Sequence, residues 1–471
     1  MSSPIRPSWI LCLTCVGAFM APLDGSILAV ALPRVAGSLG LGWGATLWVQ
    51  ASYLLAMAIS LIPLGRHADH TGRLRGYLAG AGLFTVASLL AALSPSGAWL
   101  IAARVLQGVG GALLSATSAA LVTEAFPPDQ RGKALGLNVM AVYAGLSLGP
   151  PLGGFLVAHF GWRSLFLVNL PIGIAVLALG QRLRPRWQEA PGRGHTLDLP
   201  GMVLWSLGLA ALLLPLTFAP EWGWTSWKVG LPLGLALLGI PLFLAVERRS
   251  AEPLLDLRLL ASNRTFASGN LAALLAYMAL YAVALLTSVH LQLVQGHSVA
   301  TAGWIMLGQP LMQTALSPLA GRLSDRLGSR RLCITGMLVL ALGMGLLGFS
   351  PPQGLGGVLA GLALVGVGLA AFSAPNTSTV MGSVGRDRLA MASAFISTMR
   401  VTGMALSVSI LGGIAASGLG PGGWRPLLKT GAAPEALLAF HHGYGLAMLT
   451  GAALALLGAL VSALQPPEPR P

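Results

Sequence analysis

Fourteen stretches of this chain are each apolar over roughly the 20 residues that a helix needs to cross a bilayer. They run approximately over 9–32, 43–63, 76–93, 98–124, 134–158, 164–180, 200–218, 229–246, 266–293, 301–319, 332–349, 355–379, 390–417 and 444–464. A soluble fold has no place for so many, because too little polar surface is available to cover them. In lipid the demand is met helix by helix, each segment satisfying its own backbone hydrogen bonds. Composition agrees. Of 471 residues, 55% are hydrophobic and 9% are charged, against about 25% charged in an average soluble domain. So much apolar material also excludes intrinsic disorder. The sequence therefore predicts an all-α membrane protein.

The net charge is +14, from 28 Lys+Arg against 14 Asp+Glu. In a soluble protein that excess would point to nucleic acid; here its distribution reports topology. With the N-terminus placed in the cytoplasm, 21 basic residues fall in inside segments and 5 in outside segments. The remaining two, Arg104 and Arg400, lie within helices. The positive-inside rule then puts both termini in the cytoplasm, and one miscounted helix would scramble the bias. Trp9, Trp43, Trp99, Trp162, Trp222, Trp224 and Trp227 lie near helix ends, where an interfacial aromatic belt is expected. The first apolar run exceeds a signal h-region and lacks a small-residue cleavage site, so it reads as a retained helix. Cys12, Cys15 and Cys333 sit in apolar stretches and imply neither a disulfide framework nor a metal site. No G-x-x-x-x-G-K-[ST] run occurs, so no ATP site is expected.

The chain repeats itself. Gly65-Arg66-His67-Ala68-Asp69-His70-Thr71-Gly72-Arg73-Leu74-Arg75 has a counterpart 256 residues later in Gly321-Arg322-Leu323-Ser324-Asp325-Arg326-Leu327-Gly328-Ser329-Arg330-Arg331. Each copy follows the second helix of a six-helix block, and paired glycines permit a tight turn between helices. Two related halves about a central cavity are a transporter design. The expected organisation is a six-helix bundle over 1–180, a cytoplasmic linker over 181–199 and an inserted helix pair over 200–246. A second linker over 247–265 and a second six-helix bundle over 266–471 complete it.

Few groups inside the spans can carry charge. Asp24 lies 15 residues past Trp9, or roughly 22 Å along a helix axis, in the outer half of the hydrocarbon region. An ionised carboxylate is costly at that depth. Asp24 is therefore a candidate proton carrier, with a simple hydrogen bond to a neighbouring helix as the alternative. A buried Arg104 costs about 2.5–3.5 kcal/mol on insertion scales, so it either faces a cavity and a partner or snorkels to the nearby helix end. Glu124, before Phe126-Pro127-Pro128, is a candidate relay member or part of the inside loop with Asp129, Arg131 and Lys133.

Four motifs jointly resemble the major facilitator superfamily, specifically its fourteen-helix drug:proton antiporter branch, over nearly the whole chain. They are the loop from Gly65 to Arg75 and the run Arg104-Val-Leu-Gln107-Gly108-Val-Gly110-Gly111. Beside these stand Gly145, Gly149, Pro150, Gly153 and Gly154, and Leu23-Asp24-Gly25-Ser26 with Ala31-Leu32-Pro33. His67 and His70 stand where Leu and Arg are usual, Ala29 replaces an Asn, and His290 replaces a Tyr.

The resemblance implies two six-helix bundles plus two inserted helices in a bacterial inner membrane. It implies proton-coupled export of amphipathic or lipophilic small molecules by alternating access, with no enzymatic reaction, metal, cofactor or nucleic-acid partner, by a monomer. Asp24, Arg104 and Glu124 would couple protons. Gly65, Asp69, Gly72, Arg73, Arg75, Asp325 and Arg331 would form a conformational latch. The glycine face of helix five would pack against the other half. Gln107, Tyr53, Asn169, His290, Gln292 and Arg400 are candidates for the substrate cavity. No acidic residue lies within a second-half helix, which favours monocationic, neutral or lipophilic cargo. A lipid or metabolite is the alternative cargo; a membrane enzyme or non-transporting sensor is a more distant reading.

Overall fold

A computed structural model of the chain describes residues 6–127, 130–187, 198–250, 257–385, 389–419, 423–428 and 432–465. The first bundle comprises α1 (Pro7–Leu39), α2 (Trp43–Thr71), α3 (Arg73–Ala92), α4 (Gly97–Ala125), α5 (Arg131–Phe160), α6 (Ser164–Leu167) and α7 (Asn169–Leu183). The inserted pair is α8 (Leu199–Trp222) and α9 (Trp227–Arg249), followed by the short α10 (Leu257–Ser262). The second bundle comprises α11 (Arg264–Val289), α12 (Val299–Met306), α13 (Gly308–Leu327), α14 (Ser329–Phe349), α15 (Leu355–Gly382), α16 (Leu389–Ala416), α17 (Trp424–Leu427) and α18 (Pro434–Ala463). No strand occurs among the described residues.

Among the described residues, thirteen helical spans are long and apolar enough to cross a membrane. The expected segment over 301–319 is instead two helices, α12 and α13, split at Leu307. Proline explains the break. Pro310 has no N–H for the carbonyl four residues back, that of Met306, where α12 ends,. Pro171 does the same to Leu167, where α6 ends and α7 begins,. By contrast α5 runs unbroken through Pro150 and Pro151.

The sequence repeat is a structural repeat. Gly72 turns α2 into α3 with φ of 112°, and Gly328 turns α13 into α14 with φ of 85°. Both are backbone states that a side chain disfavours. The third and fourth helices of each bundle also meet glycine on glycine. A Cβ on Gly110 of α4 would lie 2.9 Å from the Gly80 carbonyl of α3. A Cβ on Gly368 of α15 would lie 2.6 Å from the Gly336 carbonyl of α14. Small residues let these helices approach in a medium that supplies no hydrophobic drive between them.

The halves touch mainly at the end where α1 turns into α2. There Trp43 donates from Nε1 to the Gly412 carbonyl of α16 at 2.8 Å, and Gln292 donates to the Val30 carbonyl of α1 at 2.8 Å. Trp43 also packs edge-on against Trp424. The inserted α8 braces the same end. Glu221 accepts from the Gly44 amide at 2.7 Å, capping α2, whose N-cap Gly42 offers no side chain. Thr217 donates to Ser409 of α16 at 2.6 Å. One helix thus holds an element of each half.

Candidate functional site

Asp24 is 1% exposed and packed among five helices. Its partner is Arg104 of α4, also without exposure, whose Nη1 donates to Asp24 Oδ2. Gln107 donates to Oδ1 at 3.2 Å and Asn169 at 2.7 Å. The spacing explains the convergence. Arg104 and Gln107 are three apart on α4, so they share a face, and Arg104 also donates to the Gln107 Oε1 at 2.8 Å. Asn169 is the first residue of α7 because Pro171 breaks the helix just before it,.

Arg104 is held from the remaining sides by α2. Its Nε donates to the Val49 carbonyl at 3.1 Å, and its guanidinium lies 4.4 Å from the Tyr53 ring centroid. Ser88 of α3 accepts from Gln107 at 2.8 Å and from Asn169 at 3.3 Å, and donates to the Phe84 carbonyl. The opposed charges and their donors neutralise one another out of reach of bulk solvent, the condition under which a buried ion pair persists. Removing the charge of either member strands the other.

A second polar strip lies between the halves. Gln50 of α2 donates to Gly25 at 3.2 Å and to the Tyr281 hydroxyl of α11 at 2.8 Å. Tyr143 of α5 hydrogen-bonds Ser373 of α15 at 2.9 Å. Ser147 reaches Thr314 of α13 at 3.1 Å. Arg400 is half-buried over the Tyr277 ring, 4.8 Å from its centroid. These hydroxyls sit at mid-span rather than at helix ends. That position was the sequence signal for Tyr143, Tyr277 and Tyr281, which composition alone does not single out.

The Major Facilitator Superfamily model matches residues 14–252 and 269–471 of the chain. The multidrug resistance protein Stp of Mycobacterium tuberculosis is 37% identical over 410 residues, covering 87% of this chain and 76% of that protein. The riboflavin transporter RibZ of Clostridioides difficile is 33% identical over 420 residues, covering 88% and 90%. The crystal structure of a bacterial homologue of the human lysosomal transporter Spinster, inward-facing and unoccupied, matches with TM-score 0.68 at 16% identity, covering 98% of each chain. The chain belongs to the Major Facilitator Superfamily. It is a secondary transporter and an integral multi-pass membrane protein.

Several site expectations for this facilitator need correction. Glu124 does not join Asp24 and Arg104. It lies 20 residues beyond Arg104 on α4, about 30 Å along the axis, where its Oε2 is 3.6 Å from Arg73 Nη1. Arg73 meanwhile donates to Asp69 at 2.7 Å. The latch residues of the first half therefore gather within that half, with Gly65 packed on Ala116 and Arg75 at the start of α3. In the second copy Arg331 is exposed in the first turn of α14; the Asp325 side chain lies outside the described residues, as does Asp129.

The glycine face of α5 packs mostly on its own half. Cβ atoms on Gly145, Gly149 and Gly153 would meet Phe19, Ser26 and Ile27 of α1. Gly154 and Pro150 are the members that reach across. Gly154 abuts Val299 and Ala300, and Gly303 of α12 seats on the Pro150 carbonyl. Pro150 and Gly154 each follow a glycine of that row by one residue, about 100° around the helix, so one motif serves two neighbours.

The cavity candidates do not line one space. Gln107 and Asn169 are without exposure and bind Asp24, and Tyr53 is 3% exposed beneath Arg104. His290 is buried inside the second bundle. Gln292 ties the halves together. Arg400 and Gln292 are the two of the six that combine partial exposure with a position at the contacts between the halves.

Proposed function

We propose that this transporter is a proton-coupled exporter of amphipathic small molecules that works by alternating access and performs no covalent chemistry on its cargo. The single observation that carries the reading is the sealed Asp24–Arg104 pair. A proton reaching Asp24 cancels the charge that holds Arg104. The guanidinium must then find other acceptors, and the five helices joined at this point rearrange. A charge-linked switch of this kind biases a two-state element, as coupling requires.

The basic-residue bias supports cytoplasmic termini. With that orientation the sealed end faces outward, and the protein rests with its outer end closed and both halves joined there by α8. A single chain contains both halves, so a monomer suffices. The roles of the two bundles follow the expected boundaries, with 1–180 and 266–471 rocking about the inter-half strip. Asp69, Arg73 and Glu124 would hold the inner end of the first half.

The strip supports cargo with aromatic or apolar bulk and a few hydrogen-bonding groups. Tyr143, Tyr277, Tyr281 and Ser373 offer hydroxyls, and Arg400 disfavours multiply cationic cargo. Stp bears the name of a multidrug resistance protein and RibZ that of a riboflavin transporter. Uncharged aromatic compounds are common ground between these readings, and a metabolite of that class is the second reading. Reconstituted vesicles with an imposed pH gradient test the proposal. Substrate should move against its own gradient only while the proton gradient lasts. Equal accumulation without a proton gradient would reject proton coupling.

A further inference from the structure

The second bundle contains a buried ionisable cluster that the Asp24 site does not use. His290 opens a π-helical turn, His290–Val294, at the end of α11. Its ring stacks on Tyr444 of α18 with centroids 4.6 Å apart and 7° between planes. The His441 ring is 5.3 Å away, and His442 is 6.0 Å beyond His441. The Tyr444 hydroxyl meets Thr287 at 3.1 Å. Nδ1 of His290 and Nδ1 of His441 are both buried with no hydrogen-bond partner. His290 is fully enclosed and His441 is 9% exposed. Two imidazoles with unfilled ring nitrogens at this separation are an unusual use of protein interior.

The same turn carries a contact between the halves. Gln292 donates to the Val30 carbonyl of α1 at 2.8 Å and to Ser288 at 2.8 Å. Ser288 donates to the same carbonyl at 3.3 Å. The π-turn thus faces the histidine pair with one residue and the opposite half with another two positions on. Such turns hold weaker backbone geometry than an α-helix and often mark functional sites.

We propose that His290 and His441 form a proton-binding site that, when charged, releases the Gln292–Val30 contact and opens this end of the transporter. A first proton makes one imidazole a cation, which the face of Tyr444, an aromatic surface that attracts cations, tolerates. A second places like charges one ring's distance apart in a poorly screened interior, where their repulsion is strong. The π-turn and α18 then separate, and Gln292 is drawn from Val30. The protons come from the water on that side and convert the two imidazoles to imidazolium.

Other titratable or charged groups on the surrounding elements are Arg264, Tyr277 and Tyr281 of α11, Cys12, Cys15, Asp24 and Arg34 of α1, Arg330, Arg331 and Cys333 of α14, Glu435 and His442 of α18, Arg425 of α17, Arg400 of α16 and His297 after the π-turn; α12 contributes none. Among the described residues neither histidine forms an ion pair with a carboxylate. The proposal rests on the alternating-access reading. It supplies a titrating element to a half whose helices carry acids only near their ends, Asp325 in α13 and Glu435 in α18.

The test is the distance between spin labels at Ser38→Cys and Thr301→Cys, exposed positions flanking the seal, in a cysteine-free Asp24→Asn background in lipid nanodiscs. Acidification from pH 7.5 to pH 4 should lengthen the distance in that parent. His290→Gln with His441→Gln should hold the short distance throughout, or shift the midpoint by at least a tenfold change in proton concentration. If the double variant does not fold, His441→Asn alone should give the same shift, since that ring is at the rim. An unchanged midpoint in either variant overturns the proposal. Vesicles that fail to transport while this acid response persists would reject proton-driven export and leave the histidine site standing.

Discussion

Arg104 of α4 and Asp24 of α1, 80 residues apart in the chain, face each other as a fully buried ion pair. The pair ties the first helix to the fourth, while Gln107, Asn169, Ser88 and the Val49 carbonyl extend the tie to α2, α3 and α7. A buried pair of this kind adds little net stability, yet losing one member is expensive because the other charge is left stranded.

Arg104→Ala should therefore destabilise the protein by about 3–5 kcal/mol. Thermal unfolding in detergent is the measurement. Adding Asp24→Asn should recover a substantial part of the loss, as a double-mutant cycle between contacting residues requires. Strict additivity of the two would mean that the residues do not interact.

Gly145→Ala should also destabilise. Its Cβ would lie 2.4 Å from the Phe19 carbonyl and 3.1 Å from the Leu23 amide, both rigid backbone of α1. Forcing the helices apart costs about 1–3 kcal/mol. Gly136 on the same helix meets nothing within 4 Å, so Gly136→Ala should be neutral or stabilising by up to about 1 kcal/mol. Comparing the two unfolding temperatures isolates packing from helix propensity.

The brace from α8 gives a third expectation. Glu221→Ala removes the cap on α2 and should cost the closed end about 0.5–2 kcal/mol. Leu47 is buried against Gly412 at this seal. A cysteine placed there by Leu47→Cys should react faster with a membrane-impermeant maleimide when Glu221 is Ala. No change in labelling rate would remove α8 from the closure.

Glu124→Gln should leave the proton-to-substrate ratio unchanged. Glu124 is 3.6 Å from Arg73, and the side chains are 16% and 32% exposed. Partly exposed pairs contribute about 0–1 kcal/mol, so turnover should fall only modestly, and less at high salt. An altered ratio measured in vesicles would return Glu124 to the proton path.

Thirteen of the fourteen expected spans were legible because lipid demands about 20 apolar residues per crossing, and the one over 301–319 is broken at Leu307. The half-repeat was legible because Gly72 and Gly328 both need a positive φ. Asp24 and Arg104 each stood out as charges in apolar runs. Their pairing did not, since it depends on which faces of α1 and α4 meet. Ser88 and Val49 left no signal: one is an ordinary serine, the other contributes only its carbonyl. The breaks at Leu307 and Val168 were written in Pro310 and Pro171, but proline within a span does not by itself announce a break, as α5 shows at Pro150. The glycine motif of α5 was read as facing the other half, and only Gly154 and Pro150 do so. Spacing fixes a face of a helix, while the neighbour that fills it is a tertiary fact.

The most direct measurement of the central claim is proton release on substrate binding, followed with a pH indicator in lightly buffered detergent solution of the purified transporter. At a pH acid enough for Asp24 to carry the proton, the wild-type protein should release protons when a transported compound is added, and Asp24→Asn should bind the same compound and release none. Equal proton release from the folded Asp24→Asn variant would contradict the assignment of Asp24 as the carrier.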